Sequence, residues 1–127
     1  MEQSPVQVLV VDDFEGWRQY VCGALREIPG ITVREASDGL EALEKVQQMR
    51  PDLVLLDIAL PRMNGLAAAR EIGRLSPESK IIFLTQNASS DLIEETFRAG
   101  ATGYIIKSNA ASELVSAAKA ALKGRIV

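Results

Sequence analysis

Asp52 to Gly65 reads DLVLLDIALPRMNG, and the first half of that stretch decides the fold class. Leu53, Val54, Leu55 and Leu56 follow one another with no polar residue between them. A strand with one face in water alternates apolar and polar side chains, whereas an unbroken run belongs to a strand covered on both faces, as in a parallel sheet between layers of helices. The run stops on Asp57, and Pro61 with Gly65 marks a loop before a helical pattern starts at Leu66. Asp57 is thereby placed at the carboxyl end of a central strand, the edge where open α/β sheets hold their ligands.

The rest of the chain alternates in the same way. Towards the N-terminus, Val6 to Val11 reads as a strand followed by the acidic pair Asp12 and Asp13. Phe14, Trp17, Val21, Leu25 and Ile28 then recur at helical steps until Pro29-Gly30 breaks the pattern. Ile31 to Ala36 is a more polar strand, suited to a sheet edge; Asp38 with Glu41 resembles a capping box, opening a helix with Leu40, Leu43 and Val46 inward and closed by Arg50-Pro51. Beyond the central loop, Leu66, Ala69 and Ile72 give a helix ending at Ser76-Pro77, and Lys80 to Leu84 is a further apolar strand that delivers Thr85. Ser90 or Asp91 caps the next helix, with Ile93 and Phe97 inward and Gly100 in the left-handed C-terminal position. Gly103 to Ile106 is the fifth strand, ending at Lys107, and the last helix presents Leu114, Val115, Ala118 and Leu122 along one face before Gly124. Five strand-helix units without a repeat or linker make one doubly wound α/β domain over residues 1–127, with helices on both faces of a parallel sheet. Periodicity alone leaves the strand order open.

Composition narrows the class. A chain of 127 residues, 47% apolar and 24% charged, has the make-up of a folded protein and hides roughly two-thirds of its unfolded surface. A net charge of -3 argues against direct nucleic-acid binding, and Lys119, Lys123 and Arg125 read as a solvated helix face. The single cysteine, Cys22, excludes an internal disulfide and reads as a small buried hydrophobe. No apolar stretch reaches membrane-spanning length, and Met1 to Pro5 is too short and polar for a signal peptide, so the expected compartment is the cytoplasm, with no membrane partner.

Asp12 and Asp13, Asp57, Thr85 and Lys107 each follow an apolar strand, so a parallel sheet brings all of them to one edge. Taken singly, an aspartate there caps a helix, a threonine closes a turn and a lysine keeps an end solvated. Taken together on four of five strands, they point to a shared site. Three carboxylates within about 5 Å repel by roughly 3 kcal/mol per pair at an effective dielectric near 20. A hard divalent cation with oxygen ligands offsets that repulsion, and Mg²⁺ takes one or two carboxylates, waters and a phosphoryl oxygen. Lys107 supplies a second positive charge. Carboxylate, metal, ammonium and hydroxyl together suit phosphoryl transfer, in which positioning and charge neutralisation dominate and a carboxylate can be the nucleophile.

The segments VDD at 11 to 13, LLDIALPRMNG at 55 to 65, IIFLT at 81 to 85 and AGATGYIIK at 99 to 107 resemble the receiver domain of bacterial two-component response regulators over essentially the whole chain. The resemblance implies a flavodoxin-like sheet of order 2-1-3-4-5, for which a receiver is a standard example. It implies that Asp57 takes a phosphoryl group from a phosphohistidine of a sensor histidine kinase. It further implies that Asp13 and Asp57 ligate Mg²⁺ with the carbonyl of Ala59, that Asp12 acts mainly through bound water, and that Lys107 and Thr85 grip the phosphoryl oxygens. Thr85 and Tyr104 would form the switch that alters the surface of the fourth helix, fifth strand and fifth helix, with a homodimer on phosphorylation as one outcome. Ser108 stands where many receivers carry a proline after a cis bond, and a cis bond before a non-proline costs about 2.5–4 kcal/mol. Gln86 occupies a position often held by a small residue, while Ala59 and Asn87 occupy positions that influence phosphoryl lifetime.

Two rivals accompany the phosphoacceptor reading. A small Mg²⁺-dependent phosphatase would space its first-strand aspartates alternately, whereas Asp12 and Asp13 are adjacent. An inactive receiver serving as an interaction module would not need the full set of aspartates with Thr85 and Lys107. The absence of histidine excludes a phosphohistidine carrier. AGATGYIIK and the ending AALKGRIV look most like receivers that precede a LuxR-type helix-turn-helix output domain, which would lie beyond Val127 unless the receiver acts alone.

Overall fold

The five predicted strands pair as one sheet in a computed structural model that describes residues 5–86 and 89–123. The strands are β1 (Val6–Val11), β2 (Ile31–Ala36), β3 (Leu53–Asp57), β4 (Lys80–Thr85) and β5 (Gly103–Ile106). They lie in the order β2-β1-β3-β4-β5, all parallel, so the order expected from the resemblance is the one found. The connecting helices are α1 (Glu15–Arg26), α2 (Gly39–Met49), α3 (Gly65–Leu75) and α4 (Ser90–Arg98). After β5 a single 3₁₀ turn, Lys107–Asn109, leads into α5 (Ala110–Ala121).

Because side chains alternate across a strand, the sheet sorts its residues into two cores. On one face Val8 and Val10 of β1, Leu53 and Leu55 of β3, Ile82 and Leu84 of β4, and Ile105 of β5 pack with Val21, Cys22 and Leu25 of α1 and Leu114 and Ala118 of α5. On the other face Leu9, Val11, Val54, Leu56, Ile81 and Phe83 meet Ala42, Val46 and Met49 of α2 and Ala68, Ala69 and Ile72 of α3. All five residues of β3 are buried, as the unbroken apolar run requires, while β2 alternates because it is an edge strand with one side open. Each fully buried Leu, Ile or Phe contributes about 1.5–3 kcal/mol, so these two layers fix the sheet edge that carries the polar groups.

Three side chains expected inward turn outward. Phe14 is the N-cap of α1 with extended backbone, lies outside the helical stripe and is 67% exposed. The inward face of α2 is Gly39, Ala42, Val46 and Met49, and Leu40, one residue and about 100° round from Gly39, is exposed. On α4 it is Thr96 that is buried, so Phe97 is half exposed. Caps differ too. Ser89, not Ser90 or Asp91, accepts from Leu92 N–H at 3.3 Å. Asp38 accepts from Glu41 N–H as expected, but Glu41 reaches back to Ser37 N–H at 2.7 Å, one residue earlier than a capping box would. Asn64, passed over in the sequence reading, caps α3 by accepting from Ala67 N–H at 2.9 Å. Gly100 is left-handed as expected, with φ +105°. No cis peptide bond occurs among the described residues, so Lys107-Ser108 is trans. Asn87 and Gly124 lie outside the described residues.

Candidate functional site

The charged groups of the site are the next members of the apolar rows beneath them. Counting by twos, Val8 and Val10 lead to Asp12, Leu53 and Leu55 to Asp57, and Ile105 to Lys107. Rows that are apolar within the sheet therefore end in two carboxylates and an ammonium on the face shared with α1 and α5. The register supports this alignment, since Val11 pairs with Leu56 immediately before Asp12 and Asp57. Thr85 belongs to the opposite row, after Ile81 and Phe83, and Tyr104, paired with Phe83, packs on that opposite core.

Asp12 is 2% and Asp57 8% exposed, while Asp13 is open to solvent. One carboxylate oxygen from each of the three lies within 4.8 Å of the others, close to the separation expected. Lys107 Nζ donates to Asp12 Oδ2 at 2.8 Å and to Asp57 Oδ2 at 3.4 Å. Burial pushes the Asp57 carboxyl above its usual range; the Lys107 ammonium pulls it down, and the Asp12 carboxylate pushes it up again. The backbone N–H of Ala59 also bonds Asp57 and favours its charged form. Thr85 is buried and lines the same cavity, of about 1000 Å³, as Asp12, Asp13, Asp57, Ala59 and Lys107. Every residue singled out for the reaction is thus at one edge, whereas Tyr104 lies away from the cavity with its ring edge-on to Phe97 at 6.1 Å.

Local backbone holds these groups in place. Asp12 Oδ1 accepts from Phe14 N–H at 2.9 Å, an Asx turn that starts α1. The loop after Asp57 folds back through Gly65 N–H to Ile58 O at 2.8 Å. Gly65 sits so close beneath the strand end that a Cβ there would stand 2.1 Å from Asp57 O and 2.7 Å from Ile58 Cα. The same loop is braced from α2, where a Cβ on Gly39 would meet Met63 O at 2.0 Å.

Two residues of the site went unassigned in the sequence reading. Arg18 donates to Asp12 O and to Glu35 Oε1, each at 2.8 Å, tying the end of β1 to β2. Trp17 lies with its ring centroid 5.4 Å from Lys107 Nζ. The available signal was helical spacing: Trp17, Val21 and Leu25 form one stripe, and Trp17 is its end nearest the aspartates.

A buried carboxylate flanked by two more, with an ammonium and a hydroxyl beside it, is a cluster of hard oxygen donors of the kind that Mg²⁺ binds. Among known proteins, response regulator UvrY of Escherichia coli (strain K12) is 38% identical over 121 residues, covering 94% of this chain and 56% of UvrY. The uncharacterized transcriptional regulatory protein YxjL of Bacillus subtilis (strain 168) is 35% identical over all of this chain and 59% of its own length. This chain thus spans little more than half of these relatives. The crystal structure of a LuxR-family two-component response regulator from Aurantimonas sp. SI85-9A1 superposes with a TM-score of 0.88 at 34% identity, covering 97% of this chain and 89% of that one. The response regulator receiver domain family matches residues 8–119, and with the fold and the aspartate cluster in agreement, this chain belongs to that family.

Proposed function

We propose that the chain is the phosphoacceptor of a two-component system, in which Asp57 takes a phosphoryl group from the phosphohistidine of a sensor histidine kinase. The observation that carries this reading is the gathering of three carboxylate oxygens within 4.8 Å, with the Lys107 ammonium bonded to two of them. An Asp57 carboxylate oxygen attacks phosphorus, the bond from phosphorus to the donor nitrogen breaks, and the imidazole leaves with its electron pair. Asp12, Asp13, Asp57 and the Ala59 carbonyl would hold Mg²⁺, with Asp12 acting mainly through bound water. Mg²⁺, when bound, supplies positive charge against the phosphoryl oxygens. Lys107 neutralises a second oxygen, and Thr85 donates its hydroxyl to a third. Loss of the phosphoryl group to water reverses the state, so the chain takes part in its own modification and does not turn over an outside substrate.

Thr85 and Tyr104 would carry the switch. Both belong to the sheet face opposite Asp12 and Asp57, and Tyr104 leans on Phe97 of α4, so a shift of the Thr85 hydroxyl towards phosphate alters the packing beneath α4 and β5. That surface would then change partner, with a homodimer as one outcome. The names of the relatives support control of transcription through an output domain or partner, and we place that action in the cytoplasm. No helix among the described residues is long and apolar enough to cross a membrane.

Stoichiometry tests the reading. With Mg²⁺ and excess labelled phosphodonor, incorporation should approach one phosphoryl group per chain and stop. Sustained release of phosphate from phosphate esters would instead favour a phosphatase, and absence of label from a competent kinase would favour an interaction module.

A further inference from the structure

Among the described residues the Lys107 ammonium meets Asp12, Asp57 and an indole. Its ammonium sits 2.8 Å from one carboxylate and 3.4 Å from the other, and the Trp17 ring centroid is 5.4 Å away on a further side. Its side chain is 13% exposed, low for a lysine, and Trp17 lines the same cavity wall. Among the described residues the buried indole Nε1 has no hydrogen-bond partner, so no polar bond described there accounts for the ring's placement. The α1 residues below it, Val21 and Leu25, are aliphatic and fully buried, and the stripe changes to an aromatic ring only where it meets the ammonium. An aromatic face attracts a cation through its quadrupole, and the attraction grows as water is removed.

We infer that Trp17 is a positioning residue for Lys107: its indole holds the ammonium over the Asp12 and Asp57 carboxylates and shuts water out from the helix side. The inference rests on the phosphoacceptor reading for its kinetic consequence, but the contact itself does not. Without the ring, the flexible four-carbon stem of Lys107 can leave for solvent, and the charge that should meet the incoming phosphoryl oxygens is present for less of the time. Leucine at this position would keep the apolar packing and lose the quadrupole; phenylalanine would keep a ring.

Phosphorylation of the full chain by acetyl phosphate with Mg²⁺ separates the variants, the Asp57 oxygen attacking phosphorus and acetate departing. Trp17→Leu should slow labelling roughly tenfold, inside the range of about 2- to 30-fold that cation–π contacts span, and Trp17→Phe should stay within about threefold of wild type. Urea midpoints measured on both variants show whether packing has been lost equally, which a purely structural role would require alongside equal rates. Trp17 is the only tryptophan, so its emission reports on this site alone. With no phosphodonor present, Lys107→Met should shift that emission while far-ultraviolet circular dichroism is unchanged. Equal labelling rates for the leucine and phenylalanine variants, or emission indifferent to Lys107→Met, would overturn the inference. Failure of the wild-type chain to take label would defeat the phosphoacceptor reading instead, and the emission result would still decide the contact.

Discussion

Replacing Asp57 by asparagine should make the metal-free protein more stable while abolishing its chemistry. At a separation of 4.8 Å and an effective dielectric near 20, each of Asp12 and Asp13 repels the Asp57 carboxylate by about 3.5 kcal/mol, less for Asp13 because it is exposed. Lys107 at 3.4 Å returns about 5 kcal/mol by the same measure, which roughly cancels the repulsion. Burial of the charge is the largest influence on this carboxyl and opposes its ionisation, so removing the charge should yield a net stabilisation of about 1–3 kcal/mol at pH 7. In urea that is a midpoint raised by roughly 1 M. The sign with pH is fixed by the raised folded-state pKa. Wild-type stability due to Asp57 is present below the unfolded carboxyl value near 4 and is lost as pH rises through the higher folded value, so the gap to Asp57→Asn should open with pH. Saturating Mg²⁺ should close it, because a ligand at about a hundred times its Kd adds about 2.7 kcal/mol to the wild type and much less to the variant. Urea titrations at pH 4.5 and 7.5, each with EDTA and with Mg²⁺, measure all four corners. An asparagine variant no more stable than wild type at pH 7.5 in EDTA, or one stabilised equally by Mg²⁺, would refute the electrostatic account of the site.

Gly65→Ala should cost about 3 kcal/mol or more and lower Mg²⁺ affinity, because its Cβ would drive against the Asp57 carbonyl and Ile58 Cα, neither of which can yield without moving the strand end; urea unfolding and a Mg²⁺ titration check it. Cys22 should react with a thiol reagent only through opened molecules, since burial first, and the Glu35 carboxylate second, push its thiol up to about 11, and labelling in native buffer as fast as in denaturing urea would contradict this.

Much of this was legible in the residues because the parallel sheet makes polar positions at strand ends conspicuous. The buried run before Asp57 identified the central strand, and Asp12, Asp13, Thr85 and Lys107 declared themselves by following apolar runs. Which of them share a face was also encoded, since the period of two carries Val10 to Asp12, Leu55 to Asp57 and Ile105 to Lys107, but Thr85 to the other side. What the pattern could not reveal was contact between elements. Trp17 reads as one more apolar helix residue until β5 and its 3₁₀ turn bring Lys107 to it, and nothing in the spacing around Arg18 points to Glu35 on β2. Leu40 and Phe97 misled for a related reason: hydrophobicity marks a residue as able to be buried, while the small residues Ala42 and Thr96 are what let α2 and α4 approach their neighbours.

Of the three carboxylates, Asp57 alone should accept the phosphoryl group. Labelling the chain with acetyl phosphate and Mg²⁺, reducing the acyl phosphate with borohydride and sequencing the peptides by mass spectrometry tests it directly. Homoserine is expected at position 57 and nowhere else, and is expected to be absent from the Asp57→Asn protein. Homoserine at position 12 or 13, or label that survives in Asp57→Asn, would contradict it.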